Sequence, residues 1–495
     1  MSDTLTTSRP LLDTAVFAGK IFLDGAWVPG GGGDIPVIEP ATGAELTRAG
    51  MASPADVTRA AASAADAQKE WAALPHPQRA AVLRRAGELW SEHAEEISGW
   101  NVREVGAIPP LAGFALHVAA AECFDASALP AAPLGTVLAS EEPRLSLAER
   151  IPVGVVGVIS PFNVPIILGI RAVAPALALG NAVLLKPDPR TVVTGGVAMV
   201  RIFEEAGLPA GLLQLVPGGA DVGEALVTEP LVRVVAFTGS TRAGKAVGRL
   251  AGEHLKRVHL ELGGNSAYIV RADADVDTAV NLAVWGSYLH QGQICMSVGR
   301  HLVHESLFEE YVSKLAAKAD SMHVGDPAAG QVHLGPLIDE VQRDRVHSVV
   351  LDAVANGAVL RAGGTYEGLF YRPTVLENPP RECTAYAEET FGPVAAVVPF
   401  RDDDEAVALA SDTPYGLSLG IVSEDVFGAL ELARRIPTGI VHINDQTVND
   451  EANAPFGGVG ASGTGSRHGG ANANIDAFTE TRWVTLRRTP GHYPL

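Results

Sequence analysis

From Val153 onward, short β-branched runs alternate with helical patterns, and this alternation most narrows the folds open to the chain. Gly154 to Ser160 precedes a helical pattern from Pro165 to Leu179, and Ala182 to Lys186 precedes one from Val192 to Ala206. Leu213 to Val216 leads to Val222–Thr228, and Val232 to Phe237 leads to Arg242–His254. The pattern predicts an α/β fold: a mostly parallel sheet with helices on both faces, for which nucleotide binding is the usual use. A second series begins after Asn265, with Ala267 to Val270, a helix from Asp275 to His290, and strands near Leu302, Val394 and Val441. It predicts a second α/β unit.

The remaining segments read less regularly. The first forty residues, rich in Gly and Pro up to Gly30–Gly33, read as a loosely held arm with a short hairpin. Ser53-Pro54-Ala55-Asp56 is a helix start, with Ser as cap and Pro at the first helical position; the helix runs to Leu74, and another spans Pro77 to Val105. Pro130 to Arg150 interrupts the first unit and is expected to pair, as a protruding element, with a last strand from Arg482 to Arg488. Ala454 to Gly470, dense in glycine, is a loop.

Composition removes several classes. The 37 Lys and Arg against 57 Asp and Glu give a net charge of -20, which argues against a nucleic-acid partner. The 495 residues, 47% hydrophobic and 19% charged, suit two or three globular units. Cys123, Cys295 and Cys383 form no CxxC pair, so neither a disulfide framework nor a cysteine-rich zinc site is expected, and no other metal site is predicted. Met1 to Asp13 shows no basic segment leading into an apolar run, so a cytoplasmic setting is expected. Ile151 to Ile170 is long enough to span a bilayer, but Pro152, Pro161, Asn163 and Pro165 would strand backbone groups in lipid; it reads as core.

Two glycine motifs need weighing. Gly458-Val459-Gly460-Ala461-Ser462-Gly463 matches GxGxxG but neither follows a strand nor opens an apolar helix. Gly239 to Lys245 follows a strand and opens a helix, yet Ala246 stands where a Walker motif needs a Ser or Thr for Mg²⁺, so nucleotide hydrolysis is poorly supported. Its backbone amides either face a pyrophosphate or simply form a tight turn.

Single residues leave alternatives open. Cys295, after a bend at Gly292, is either a small buried hydrophobe or a nucleophile. Glu261, between leucines at a strand end, is an ion-pair partner or a base whose apolar walls raise its pKa. Asn163 shapes a turn or offers its NH₂ to an oxyanion; Lys186 is a capping cation or a ligand for ribose hydroxyls and phosphate.

Taken together, Phe162-Asn163, Lys186-Pro187, Phe237-Thr238-Gly239-Ser240-Thr241, Glu261-Leu262-Gly263-Gly264, Gly292-Gln293-Ile294-Cys295, Glu389-Thr390-Phe391-Gly392-Pro393 and Pro455-Phe456-Gly457-Gly458 resemble the aldehyde dehydrogenase superfamily in order and spacing, over nearly the whole chain. Lys186 to Thr191, His290 to Met296 and Asn444 to Glu451 look most like benzaldehyde dehydrogenases of aromatic degradation. The resemblance implies a Rossmann-type cofactor domain with a five-stranded parallel core (1–129 and 150–263), an α/β catalytic domain (264–470), and a small β oligomerisation element (130–149 and 471–495) of a homodimer or homotetramer.

It further implies that Cys295 attacks the aldehyde as thiolate, Asn163 and the Cys295 N–H hold the oxyanion, and Glu261 activates water to release the acid. Ser160, Phe162, Lys186, Gly218, Gly239, Ser240, Glu389 and Phe391 become the cofactor residues. Val164, Leu168, Ile294, Met296 and Phe456 become an apolar substrate funnel. NAD is the expected cofactor, with NADP open, because Pro189-Arg190 stands where NAD-preferring relatives often place a Glu and Arg190 can pair with a 2′-phosphate. Arg171, where relatives often have an aromatic residue, is expected to face solvent rather than attract a carboxylate. The resulting expectation is NAD-dependent oxidation of an aromatic aldehyde. An NADP-dependent aliphatic or semialdehyde dehydrogenase, a nucleoside triphosphatase and a non-enzymatic family member are its rivals.

Overall fold

The computed structural model describes residues 10–133, 135–491 and 493. The part of the N-terminal segment before residue 10, on which the expected lack of a leader partly rests, lies outside the described residues. Five parallel strands form the centre of the first sheet: β1 (Val155–Ile159), β2 (Ala182–Lys186), β3 (Leu213–Leu215), β4 (Val232–Thr238) and β5 (Arg257–Glu261). Their spatial order is β5-β4-β1-β2-β3. They read as continuous apolar runs because helices cover both faces, leaving β2 wholly buried. The chain leaves β1 toward one edge and returns at β4 to the other side, so the strand order reverses between β1 and β4. In open α/β sheets a ligand crevice lies at such a reversal, beyond the carboxyl ends of the strands.

The N-terminal arm is not loosely held. The hairpin Lys20–Leu23/Ala26–Pro29 extends this sheet, with Phe22 antiparallel to Leu215, and a second hairpin pairs Asp34–Ile38 with Glu45–Gly50. Leu11, Leu12, Phe17, Ile21 and Phe22 are buried in the main core, which ties the arm down; the glycines and prolines serve the turns. The expected helix over Pro77–Val105 is two, His76–Glu92 and Ala94–Val105, parted at His93, and a further helix follows over Pro109–Ala126. The pattern from Val192 to Ala206 begins with a π-helical turn, Val193–Val197, anchored by the buried Glu104 carboxylate, which accepts from the Val193 and Thr194 amides.

The second sheet includes β6 (Ser266–Val270) and β7 (Val298–His304), flanked by Val394–Phe400 and Ser418–Val422, all parallel. Strand Thr479–Leu486 pairs antiparallel with Leu145–Pro152, which pairs with Gly135–Leu138, as the interrupting segment predicted. That strand starts three residues earlier than read from sequence. Among the described residues no helix is long and apolar enough to cross a membrane.

Leu184 is fully buried at the middle of β2. Leu184→Ala should cost about 2–5 kcal/mol of stability, read as a lowered denaturant midpoint at unchanged slope.

Candidate active site

The expected cofactor residues fall along one edge. Ser160 and Phe162 follow β1, Lys186 ends β2, Gly218 follows β3, and Gly239 and Ser240 follow β4, so four neighbouring strands deliver them to the crevice. Ser240 caps helix α1 (Thr241–Glu253), its hydroxyl accepting from the Ala243 amide at 3.3 Å. Burial pushes the Lys186 ammonium down, against the pull of Asp188 and Asp221. A cation, a hydroxyl and a helix start gathered at one crevice suit the hydroxyls and phosphates of a nucleotide. Gly223 comes close to the Lys186 stem, a Cβ there standing 3.6 Å from its Cε, and the buried Ser160 hydroxyl has no partner among the described residues.

Glu389 and Phe391 reach the same crevice from the other sheet. Glu389 accepts from the Gly264 amide at 3.2 Å, and its carboxylate lies where a side chain on Gly263 would stand, which explains the paired glycines after Glu261. Burial pushes the Glu389 carboxyl up to about 7. Phe391, at φ 54°, meets Phe162 edge to face at 5.8 Å. Arg190 stacks on the other ring, 4.1 Å from the Phe162 centroid. Its guanidinium is engaged by both Asp188 oxygens and by Asp339.

Cys295 is presented by an unusual backbone. After helix α2 (Val276–Tyr288), His290, Gln291 and Gly292 all take positive φ, at 53°, 59° and 68°. This reversal places Cys295, a half-buried residue, in the lining of a cavity of about 450 Å³. Side-chain amides secure the turn. Gln291 Nε2 donates to the Gly106 and Pro336 carbonyls, Gln293 Oε1 accepts from the Ile338 amide, and Asn163 Nδ2 donates to the Gln293 carbonyl at 2.8 Å. That contact brings Asn163 to the thiol loop and uses one of its two amide hydrogens, the other being free for an oxyanion.

Glu261, ending β5, is buried and neither oxygen has a hydrogen-bond partner among the described residues. Burial pushes its carboxyl up to about 8, offset only in part by Arg171 and Arg467. The glycine-dense loop packs on it: Gly457 lies against Glu261 Oε1, and Gly463 forms a bridge with Glu261. Gly458–Gly463 therefore packs along the end of β5, pairing with it through Gly463. Enclosure pushes the Cys295 thiol up to about 12, with Glu389 and Glu261 adding to it.

All five expected funnel residues, Val164, Leu168, Ile294, Met296 and Phe456, line the cavity. Leu111, Phe114 and Trp285 complete its apolar wall and were not foreseen, because they come from helices distant in sequence. Arg171 overturns the expectation of solvent exposure. It is 3% exposed, stacked 4.2 Å from the Phe456 centroid and ion-paired with Asp450, with Glu122 3.8 Å away. A lone arginine in the otherwise apolar stretch Pro165–Ala178 was the sequence signal for such a role.

The family model described as "Aldehyde dehydrogenase family" matches residues 27–484. The chain belongs to the aldehyde dehydrogenase family. It is 62% identical to a vanillin dehydrogenase of Amycolatopsis sp. over 98% of this chain and 99% of that protein. It is 46% identical to a benzaldehyde dehydrogenase [NAD(+)] of Pseudomonas putida, over 98% of this chain and 100% of that protein. Among solved structures, a salicylaldehyde dehydrogenase of Pseudomonas putida G7 complexed with salicylaldehyde superposes with a TM-score of 0.93 at 34% identity, covering 96% of this chain and 99% of that one.

In this aldehyde dehydrogenase, a Cβ on Gly292 would stand 2.2 Å from the Gly392 carbonyl oxygen, at a φ that side chains resist. Gly292→Ala should displace the Cys295 turn and lower aldehyde oxidation about a hundredfold. Initial rates, with circular dichroism to confirm folding, check this.

Proposed function

We propose that this enzyme oxidises an aromatic aldehyde, benzaldehyde or a ring-substituted relative, to its carboxylic acid with NAD⁺ as hydride acceptor. The observation that carries the reading is the apolar cavity that ends at Cys295, whose walls suit a flat ring and offer little to a charged aliphatic semialdehyde. The aromatic aldehydes in the relatives' names point the same way.

Cys295 Sγ, as thiolate, attacks the carbonyl carbon and forms a thiohemiacetal; the remaining Asn163 N–H and the Cys295 amide hold its oxygen. NAD⁺ supplies a cationic nicotinamide ring that takes up the hydride. Collapse of the thiohemiacetal leaves a thioester on Cys295. Glu261, as carboxylate, takes a proton from the water that attacks the thioester; the acid departs and Sγ is regenerated. Lys186 and Glu389 hold the two riboses, Ser240 and the first turn of α1 face the pyrophosphate, and Phe162 and Phe391 border the nicotinamide. The occupied Arg190, with Asp188 and Asp339 around it, favours NAD over NADP, since a 2′-phosphate would meet two carboxylates.

The segments 1–129 with 150–263, 264–470, and 130–149 with 471–495 serve as cofactor, catalytic and self-association units. Self-association into a dimer or tetramer is supported by Val137, Leu138, Leu145, Trp483 and Leu486, large apolar side chains exposed on the small sheet. Three free cysteines suit a reducing cytoplasm.

Reduced-nicotinamide absorbance with benzaldehyde and either cofactor tests the reading; no turnover of any aromatic aldehyde with NAD⁺ would refute it. Cys295→Ala should abolish oxidation while retaining cofactor binding, measured by calorimetry. Because Glu261 works as a carboxylate and its pKa lies at about 8, a deacylation-limited rate should fall about tenfold per pH unit below that value. In Glu261→Gln this dependence should vanish and the acyl enzyme should accumulate, seen as added mass on the Cys295 peptide.

A further inference from the structure

The cavity is mostly apolar; its polar lining is Gln446, Asn449 and the ion pair that Arg171 and Asp450 form in its wall. Neither belongs to the covalent chemistry. The pair is unevenly satisfied. Asp450 Oδ2 takes the Arg171 Nη2 hydrogen, leaving Oδ1 without a hydrogen bond among the described residues. Arg171 Nη1, in a residue only 3% exposed, also has no hydrogen-bond partner among the described residues. An unmade hydrogen bond at a desolvated group is a standing cost, removed when a ligand of matching polarity arrives.

The surroundings assign the charges. Burial pushes the Glu122 carboxyl up to about 8, toward its neutral form, and Asp450 is the carboxyl that lies closer to the guanidinium. The flat face of Arg171 is fixed on the Phe456 ring, which holds Asp450 in place at the cavity wall. A fixed, paired carboxylate with a spare oxygen accepts one hydrogen bond strongly and rejects an apolar group set against it.

We propose that Asp450, oriented by Arg171, accepts the O–H of a ring hydroxyl on the aldehyde held at Cys295, which makes hydroxylated benzaldehydes the preferred substrate class. This rests on the aromatic-aldehyde reading of the same cavity. Arg171 is a positioning residue here, and Asp450 makes the contact. The aldehyde carbon reacts at one end of the ring while the hydroxyl is recognised at another, so selectivity comes from binding energy remote from the bond being made.

The test compares hydroxyl with methyl, two groups of similar size, at positions 2, 3 and 4 of benzaldehyde, using kcat/KM with NAD⁺. The wild type should favour hydroxyl by about tenfold or more at one position at least. Asp450→Asn should reduce that hydroxyl-to-methyl ratio about tenfold; taking the ratio against the wild type cancels the electronic effect of the hydroxyl on the carbonyl. Arg171→Lys, which keeps a cation but loses the planar fork, should reduce it less. Should Asp450→Asn not fold, Asp450→Asn combined with Arg171→Gln removes both charges and is read in the same way. A wild type with no hydroxyl preference at any position, or a preference unchanged in a folded Asp450 variant, would overturn the proposal while benzaldehyde turnover leaves the aromatic reading standing. Failure of the wild type on every aromatic aldehyde would instead remove the reading beneath it.

Discussion

Three consecutive positive φ angles at His290, Gln291 and Gly292 are the constraint on which the site depends. Two of these residues carry side chains, and such a conformation costs about 1–3 kcal/mol at each, so the turn persists only because its surroundings over-determine it. The compensation can be followed bond by bond. Gln291 ties the turn to the carbonyls of Gly106 and Pro336, Gln293 ties it to Ile338 and Asn163, and Thr447 Oγ1 donates to the Met296 carbonyl just beyond the thiol. These partners come from both sheets' surroundings, so the position of Cys295 is a property of the assembled molecule. No local segment would hold it alone.

The electrostatics of the pocket follow from the same enclosure. Glu261 at about 8, Glu389 at about 7 and the thiol at about 12 all move in the direction of the neutral form, which is what burial does to acids. Arg171 opposes this for both Cys295 and Glu261. Burial works against the charge of Arg171 too, but the acidic groups around it, Asp450 foremost, more than offset it. The cation in the cavity wall therefore acts on Cys295 and Glu261 through the field as well as on the shape of the cavity. Glu261 is left with a proton affinity near neutrality, where a base can both take and release a proton.

Much of this was legible in the chain. The parallel strands announced themselves because strands buried on both faces must be apolar throughout, and β2 was bounded to the residue. Glu261 with its glycines and Cys295 after Gly292 were readable because each needs backbone room that only glycine allows. The N-terminal arm was misread because Gly and Pro mark turns equally in free and in docked hairpins; what docks this one is Phe22 against Leu215, nearly two hundred residues away. Arg171 was misread for a related reason. Its partners Asp450 and Glu122 come from distant segments, and a general tendency of arginines toward solvent cannot register a counter-ion that only folding supplies. The break at His93 had no glycine or proline to signal it.

Arg190 carries the same lesson to the cofactor side. As a sequence feature, an arginine in place of an acidic residue favours a 2′-phosphate. In the fold its Nε and Nη2 are spent on Asp188, its Nη1 on Asp339, and its face on Phe162. Two carboxylates from separate segments already surround the guanidinium, so this cation organises negative charge contributed by the chain itself. Asp339 caps the helix Glu340–Ala355, on the side of the second sheet, while Asp188 and Phe162 follow strands of the first. Arg190 is thus a clasp across the mouth of the crevice, joining segments that belong to the two sheets.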